Sequence, residues 1–263
     1  MNILQEIANR TKERIEARKR VFPLEKLKEK AVLGGISADF PFEKALKQKD
    51  IAFICEIKRA SPSKGIIAED FPYLDIAKEY RAAGAAAVSV LTEPFFFRGD
   101  DRYLREIAET VSIPLLRKDF TVDSYMIYEA KALGASAVLL ICSILDKETL
   151  AEYIGIAHSL GLSAFVETHD EQEVEMATEA GARIIGANNR NLKTFQVDIT
   201  LSERLREKAP KDALFVSESG ISSPRDVESL RKIGANAVLI GESIMKSKDK
   251  GAEIARLRGY RHG

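Results

Sequence analysis

Leu133-Gly134-Ala135-Ser136-Ala137-Val138-Leu139-Leu140 reads as the end of a helix, a glycine that closes it, and the short apolar strand that follows. The same sentence is written three more times. It recurs at Ala83-Gly84-Ala85-Ala86-Ala87-Val88-Ser89-Val90-Leu91, Ala180-Gly181-Ala182-Arg183-Ile184-Ile185-Gly186 and Ile233-Gly234-Ala235-Asn236-Ala237-Val238-Leu239-Ile240-Gly241. The glycines lie about fifty residues apart, too far for one strand and one helix, so each interval predicts a second strand midway. Ile113–Lys118, Leu162–Glu167 and Ala213–Glu218 fill those intervals, and Ile51–Ile57 supplies the first strand. Apolar strands separated by amphipathic helices predict a parallel sheet covered on its outer side. Eight such units in one domain predict an α/β fold of the (β/α)8 TIM-barrel type. The rival is an open, doubly wound sheet, which carries a glycine fingerprint after its first strand, and none stands there.

The 263 residues are enough for one large domain or two small ones with a substantial core. Residues 1–47 are rich in Lys, Arg and Glu and contain no strand-like run, so they read as a helical N-terminal extension packed on a barrel of residues 48–263. Ile3, Leu4, Ile7 and Ile15 fall near helical spacing and predict a helix to about Phe22, stopped by Pro23, with a shorter one at Pro41–Leu46. The Arg18-Lys19-Arg20 cluster at the end of the first helix reads as a solvated helix end. Forty basic residues balance forty acidic ones, which argues against nucleic acid and membrane surfaces as partners and leaves a small molecule. The apolar runs are strand-length and the first residues too charged for a secretory signal, so a cytoplasmic location is expected. Cys55 and Cys142 sit inside apolar runs and read as buried thiols rather than metal ligands.

In a barrel of this kind chemistry gathers at the carboxyl ends of the strands. Those ends carry Glu56 and Lys58, Thr92-Glu93, Lys118-Asp119, Glu167, Asn188-Asn189-Arg190, Glu218-Ser219-Gly220 and Gly241-Glu242-Ser243. Glu56 and Lys58 are two apart, so an extended backbone points them the same way, where carboxylate and ammonium tune each other's proton affinity. Taken alone the pair is read equally well as a surface ion pair on a fraying strand. A ring of such groups converging on one opening has no structural reason, because each must be partly desolvated. After the last two strands, Ser219-Gly220 and Gly241 are small enough for backbone N–H groups to approach a ligand, and barrels commonly bind a phosphate there. Either glycine alone serves equally well as a turn residue. Ser61, with Lys64 nearby, reaches the same place from the first loop.

The stretches Glu56–Ser63, Leu115–Phe120, Phe165–Asp170, Ile185–Leu192, Ser217–Gly220 and Leu239–Gly241 resemble the indole-3-glycerol phosphate synthase family of tryptophan biosynthesis, from about Ile51 to Met245 and including the helical extension. The resemblance implies a decarboxylating, dehydrating ring closure of 1-(2-carboxyphenylamino)-1-deoxyribulose 5-phosphate to indole-3-glycerol phosphate, with no metal and no organic cofactor. It implies Lys118 as the general acid at the ribulose carbonyl, Glu167 as the acid–base carboxylate of the later dehydration, and Lys58 near the substrate carboxylate and as a second candidate acid, leaving open how the two lysines share the two steps. Glu56, Asn188 and Glu218 are implied to orient those groups or the substrate hydroxyls. Phe97 and Phe120, otherwise ordinary core residues, are implied to wall the anthranilate ring, with Arg190 and Ser219 on the substrate side. Ser61, Gly220, Gly241 and the backbone N–H of Glu242 are implied at the phosphate. An ammonium depressed toward neutral pH by burial or positive neighbours would give the first proton. The resemblance also implies that the extension lies across the catalytic mouth.

Glu242 stands where the family often has Ser, and its carboxylate is expected to turn away from the phosphate; Asn191 stands where Asp is also common. His158, His169 and His262 match no catalytic position, and His169-Asp170 reads as a strand exit and helix N-cap. Phosphoribosylanthranilate isomerase and the α subunit of tryptophan synthase are the enzymatic rivals, the former needing a cysteine–aspartate pair for which Cys142 has no facing partner. A barrel that only binds a phosphorylated ligand or a protein is the rival of another class. A monomer or weak homo-oligomer is expected.

Overall fold

Eight parallel strands close into a barrel in chain order in the computed structural model, which describes residues 3–33, 35–36, 38–191 and 193–259. Leu192 and His262 lie outside the described residues. The strands are β1 (Ala52–Ile57), β2 (Ala87–Leu91), β3 (Leu115–Lys118), β4 (Ala137–Ile141), β5 (Ser163–Thr168), β6 (Ile184–Asn188), β7 (Leu214–Glu218) and β8 (Ala237–Ile240). Each pairs with its neighbours in sequence, and β8 pairs with β1 to complete the ring. Helices of the outer ring begin at side-chain caps that the sequence supplies. Asp100, Asp146, Asp170 and Asp249 each accept a backbone N–H, and Ser223 with Asp226 forms a reciprocal capping box.

Alternation along each strand divides the apolar residues into two cores. Phe53, Cys55, Val88, Val90, Val138, Leu140 and Val166 face the helices. Ala52, Ile54, Leu116, Leu139, Phe165, Leu214, Val216 and Leu239 fill the barrel interior. The next inward rung, toward the carboxyl ends, is where Glu56, Lys118, Glu167, Asn188 and Glu218 fall. Parity alone puts them on one face.

The N-terminal segment forms α1 (Ile3–Val21), α2 (Leu24–Val32) and α3 (Pro41–Leu46), and it touches both ends of the barrel. Phe42 and Leu46 of α3 join the interior core, the Phe42 ring meeting Phe165 edge-on at 6.5 Å. Leu4 and Ile7 of α1 join the same core from the other end. Helix α2 has no counterpart in the sequence reading, although Leu24, Leu27 and Ala31 carry helical spacing. It buries Leu27 and Ala31 beside Tyr125 and Met126 of α6 (Tyr125–Ala132).

The solvated-end reading of Arg18-Lys19-Arg20 is overturned for the first two residues. Arg18 pairs with Asp101 and Glu129, and Lys19 Nζ lies 2.5 Å from Asp123 Oδ2, so the helix end is fastened to the barrel. Only Arg20 is exposed. Their partners are some hundred residues away in sequence, which no local pattern reveals.

Candidate active site

Glu56, Lys58, Ser61, Phe97, Lys118, Phe120, Glu167, Asn188, Arg190, Glu218, Ser219, Gly220, Gly241 and Glu242 all line one cavity of about 470 Å³ at the carboxyl ends of the strands. That volume is within the ordinary range for a small-molecule site. Ile3, Leu4 and Ile7 of α1 line it as well, placing the extension over the mouth.

At its floor, Lys118 Nζ donates to Glu167 Oε2 at 2.8 Å and to Glu218 Oε2 at 2.9 Å. Asn188 Nδ2 donates to the other Glu167 oxygen at 3.1 Å. Lys58 Nζ donates to Glu56 Oε2 at 2.5 Å, the pairing that their spacing of two suggests.

These contacts set proton affinities that differ from the expectation. Burial works to lower that of Lys118, but Glu167, Glu218 and Glu56 outweigh it and hold the ammonium above the usual lysine value. The depressed lysine is therefore corrected: three carboxylates, not positive neighbours, surround it. Glu167 is held well below the usual carboxylate range, because Lys118 and His169 more than offset its burial. Glu218 goes the other way. Burial, reinforced by the Glu167 charge and opposed by Lys118, pushes it up to about 7. Its Oε1 is buried and accepts no hydrogen bond among the described residues.

The Phe97 and Phe120 rings stand 6.0 Å apart in a tilted arrangement. The loop that carries Phe97 is built on Glu93, whose buried carboxylate accepts the N–H groups of Phe95, Phe96 and Phe97 at 3.0, 2.7 and 3.0 Å. Sequence placed Glu93 at a strand end; its work is to order the aromatic loop.

At the other end of the cavity Ser219 and Gly220 take left-handed backbones, φ 69° and 79°. For Ser219 this is a strained conformation, of the kind that gathers at functional loops. Asn189 supports it, donating to Ser219 O and Ser217 Oγ, both at 3.0 Å, while its own Oδ1 accepts from Ser202 Oγ at 2.8 Å. The glycines have a reason the sequence reading did not give. A Cβ on Gly241 would collide with the Glu56 carboxylate, and one on Gly220 with Val197. Arg190 braces its own loop through Phe195 O at 3.3 Å. Asn191 Oδ1 likewise closes that loop, accepting from Lys193 N and Thr194 N. The Glu242 carboxylate lies near Lys64, Lys246 and Arg190, which attract it.

Two further features were not foreseen. Asp170 caps helix α8 (Glu171–Glu179) as expected, but His169 does more than leave the strand. Its Nε2 lies 3.2 Å from Glu167 Oε1 and its Nδ1 3.0 Å from both Glu173 Oε2 and Ser143 Oγ. Burial favours the neutral ring, yet the two carboxylates lift its pKa to about 10, so it stands beside Glu167 as a cation. The residues flanking Lys118 form the second feature. Asp119 accepts from Arg14 of α1 at 2.8 and 2.9 Å and from Thr92 Oγ1 at 2.7 Å. Arg117, fully buried, donates to Asp101 and Glu129, both at 2.7 Å. Strand β3 is thus clamped on both sides of Lys118. Cys142, for its part, donates to the Glu173 carbonyl at 3.7 Å, and burial pushes its thiol up.

The chain is 60% identical to the indole-3-glycerol phosphate synthase of Ruminiclostridium cellulolyticum, over 98% of this chain and 99% of that one. It is 51% identical to the enzyme of the same name from Lachnoclostridium phytofermentans, over 97% and 98%. Among solved structures, the tryptophan synthase α-subunit of Pyrococcus furiosus (TM-score 0.62, 17% identity, 81% of this chain and 99% of that one) shares the fold. So does 3-hexulose-6-phosphate synthase of Salmonella typhimurium (TM-score 0.66, 16% identity, 80% and 97%). The family model described as indole-3-glycerol phosphate synthase matches residues 4–257, and the chain belongs to the indole-3-glycerol phosphate synthase family.

Proposed function

We propose that this mouth closes the indole ring of 1-(2-carboxyphenylamino)-1-deoxyribulose 5-phosphate, releasing CO₂ and water, with the work divided as follows. The ring carbon bearing the carboxylate attacks the ribulose carbonyl, whose oxygen takes up a proton. Lys118 supplies that proton: it is fully charged and held in place by Glu167 and Glu218. The cationic ring that results is stabilised by the carboxylates of the floor, and loss of CO₂ returns its electrons. Lys58 faces the substrate carboxylate until it leaves. The new hydroxyl then departs as water, with a proton lost from the adjoining carbon. Glu167 is the carboxylate for that step, kept anionic by Lys118 and His169.

Glu218, at about 7, is the group on the floor whose proton affinity matches neutral water. It takes part by buffering Lys118, accepting a proton or returning one as the ammonium spends its own. Glu56 and Asn188 orient Lys58 and Glu167. Phe97 and Phe120 wall the aromatic ring, and burying it there contributes a few kcal/mol. The phosphate lies at the far end, by Ser61, Ser219, Gly220, Gly241 and the N–H of Glu242, with Arg190 on the substrate side. Residues 1–47 act as a lid and brace on the barrel of residues 48–263. No described helix is long and apolar enough to cross a membrane.

The observation that carries this reading is the Lys118 ammonium held between Glu167 and Glu218 beside a pair of phenylalanine rings. A barrel that merely bound a phosphate would need neither. Purified protein mixed with the substrate should develop indole fluorescence and release CO₂ in equal amount; a fluorescence trace that stays flat ends the reading.

A further inference from the structure

Glu242 is the first residue after Gly241 and opens the short helix α11 (Glu242–Lys246), so its backbone belongs to the phosphate end. Its side chain does not behave as a bystander. Oε1 lies 2.7 Å from Lys246 Nζ and 3.5 Å from Lys64 Nζ, and Oε2 lies 3.8 Å from an Arg190 nitrogen. The three cations come from separate places: the turn between the strand pairs Ala60–Ser61 and Gly65–Ile66 after β1, the loop after β6, and α11 itself. Glu242, Arg190 and Lys246 line the cavity, and Lys64 follows the lining residue Ser63.

A lone, partly exposed ion pair contributes little. A carboxylate that gathers cations from three elements does something else, because it fills with one negative charge the place where several donors converge. A phosphate dianion brings twice the charge and three terminal oxygens, and competes for the same donors. Burial by itself would raise the proton affinity of Glu242; Lys246 and Lys64 more than offset this, so it stays ionised.

We propose that the Glu242 side chain is an internal counter-anion: it holds Lys64, Arg190 and Lys246 together in the free protein, yields them to an incoming phosphate, and thereby weakens phosphate binding. This rests on the phosphate placement given above. The role concerns ground-state grip, since the displaced contacts lie at the end of the substrate that does not react. Binding energy is lowered by the same amount for any ligand that places a phosphate there.

The test is competitive inhibition by inorganic phosphate at low ionic strength, for the natural protein and for Glu242→Gln. Removing one negative charge a few ångströms from a phosphate in a half-wet site should lower its inhibition constant about three- to tenfold. The KM for the full substrate should fall by a similar factor, and the gain should shrink as salt is added. Glu242→Ser should behave in the same way. A damaged fold weakens binding, so tightening cannot come from damage. Phosphate that competes equally well with all three proteins, or less well with the variants, overturns the proposal while leaving the phosphate site in place. Phosphate that competes with none of them overturns both.

Discussion

The two ends of this barrel are closed by the same N-terminal segment, each with an ion pair as well as apolar packing, Glu43 to Arg183 at the amino end, but to different effect. At the amino end, α3 drives Phe42 and Leu46 fully into the interior, and Arg183 stacks 4.0 Å above the Phe40 ring. At the carboxyl end, α1 lays Leu4 and Ile7 over a cavity and ties itself down with buried ions, Arg14 to Asp119 and Arg18 to Asp101 and Glu129. The amino end is a plug, while the carboxyl end is a lid over space. Strain is distributed accordingly. Of the four non-glycine residues with left-handed backbones among those described, Arg98, Phe195 and Ser219 belong to loops of the mouth. The orphaned Glu218 oxygen is there too. Unmet polar atoms do not separate the ends, since Arg183 Nε and His158 Nε2 at the plug also lack hydrogen bonds among the described residues; what separates them is the space that the mouth keeps.

The largest effect should come from the mouth. Lys118→Ala removes the proposed proton donor and leaves Glu167 and Glu218 without the ammonium between them. Single-turnover rates should fall about 10²- to 10⁴-fold while substrate still binds, a split that rapid-quench kinetics against equilibrium titration will measure. A near-normal rate would place the acid elsewhere.

Phe42→Ala is the counterpart at the plug. The ring is fully buried against Phe165, and its loss should reduce unfolding free energy by about 3–5 kcal/mol, read from urea denaturation. Turnover of the protein that remains folded should be close to normal, since neither Phe42 nor Phe165 lines the cavity. If this variant instead lost its rate and kept its stability, the division between the ends would be false.

What the sequence reveals follows the same divide. The eight strands, their order and the inward parity of Glu56, Lys118, Glu167 and Glu218 are local properties: a glycine, an apolar run and a spacing of two. Helix α2 was legible in principle through Leu24, Leu27 and Ala31, but the charge between them hid it. Other features are not written locally at all. Arg18 finds Asp101 and Glu129, and Arg14 finds Asp119, only after the chain has folded. Lys118 is another such case. Its residue type names a cation, but the direction of its shift depends on how many carboxylates reach it, and three do. His169 shows the same limit, since capping geometry can be read from Asp170 beside it, whereas contact with Glu167 depends on where the ring points.

The smallest effect, and the sharpest on the contrast between ends, is in pH. Glu218 binds its proton more tightly folded, at about 7, than at its ordinary 4.5. The stability this gives is complete below 4.5 and is lost as pH rises through 7. His169, lifted from 6.5 to about 10, contributes stability that is complete below 6.5 and lost as pH rises through 10. Glu167, held below its ordinary value, works the other way, and its share is lost only in acid. As pH rises from 4.5 to 10, then, Glu218 and His169 each withdraw stability, Glu218 against an opposing gain from His158, whose pKa burial and Arg183 lower to about 4. The two stages are therefore read as differences in urea midpoint between the natural protein and each variant. Glu218→Gln should lack the lower stage and His169→Asn the upper one. Phe42→Ala should keep both, its whole curve displaced downward, because no ionisable group of the mouth depends on the plug. A lower stage that survives in Glu218→Gln would mean that the carboxyl titrating near neutrality is not the one beneath Lys118.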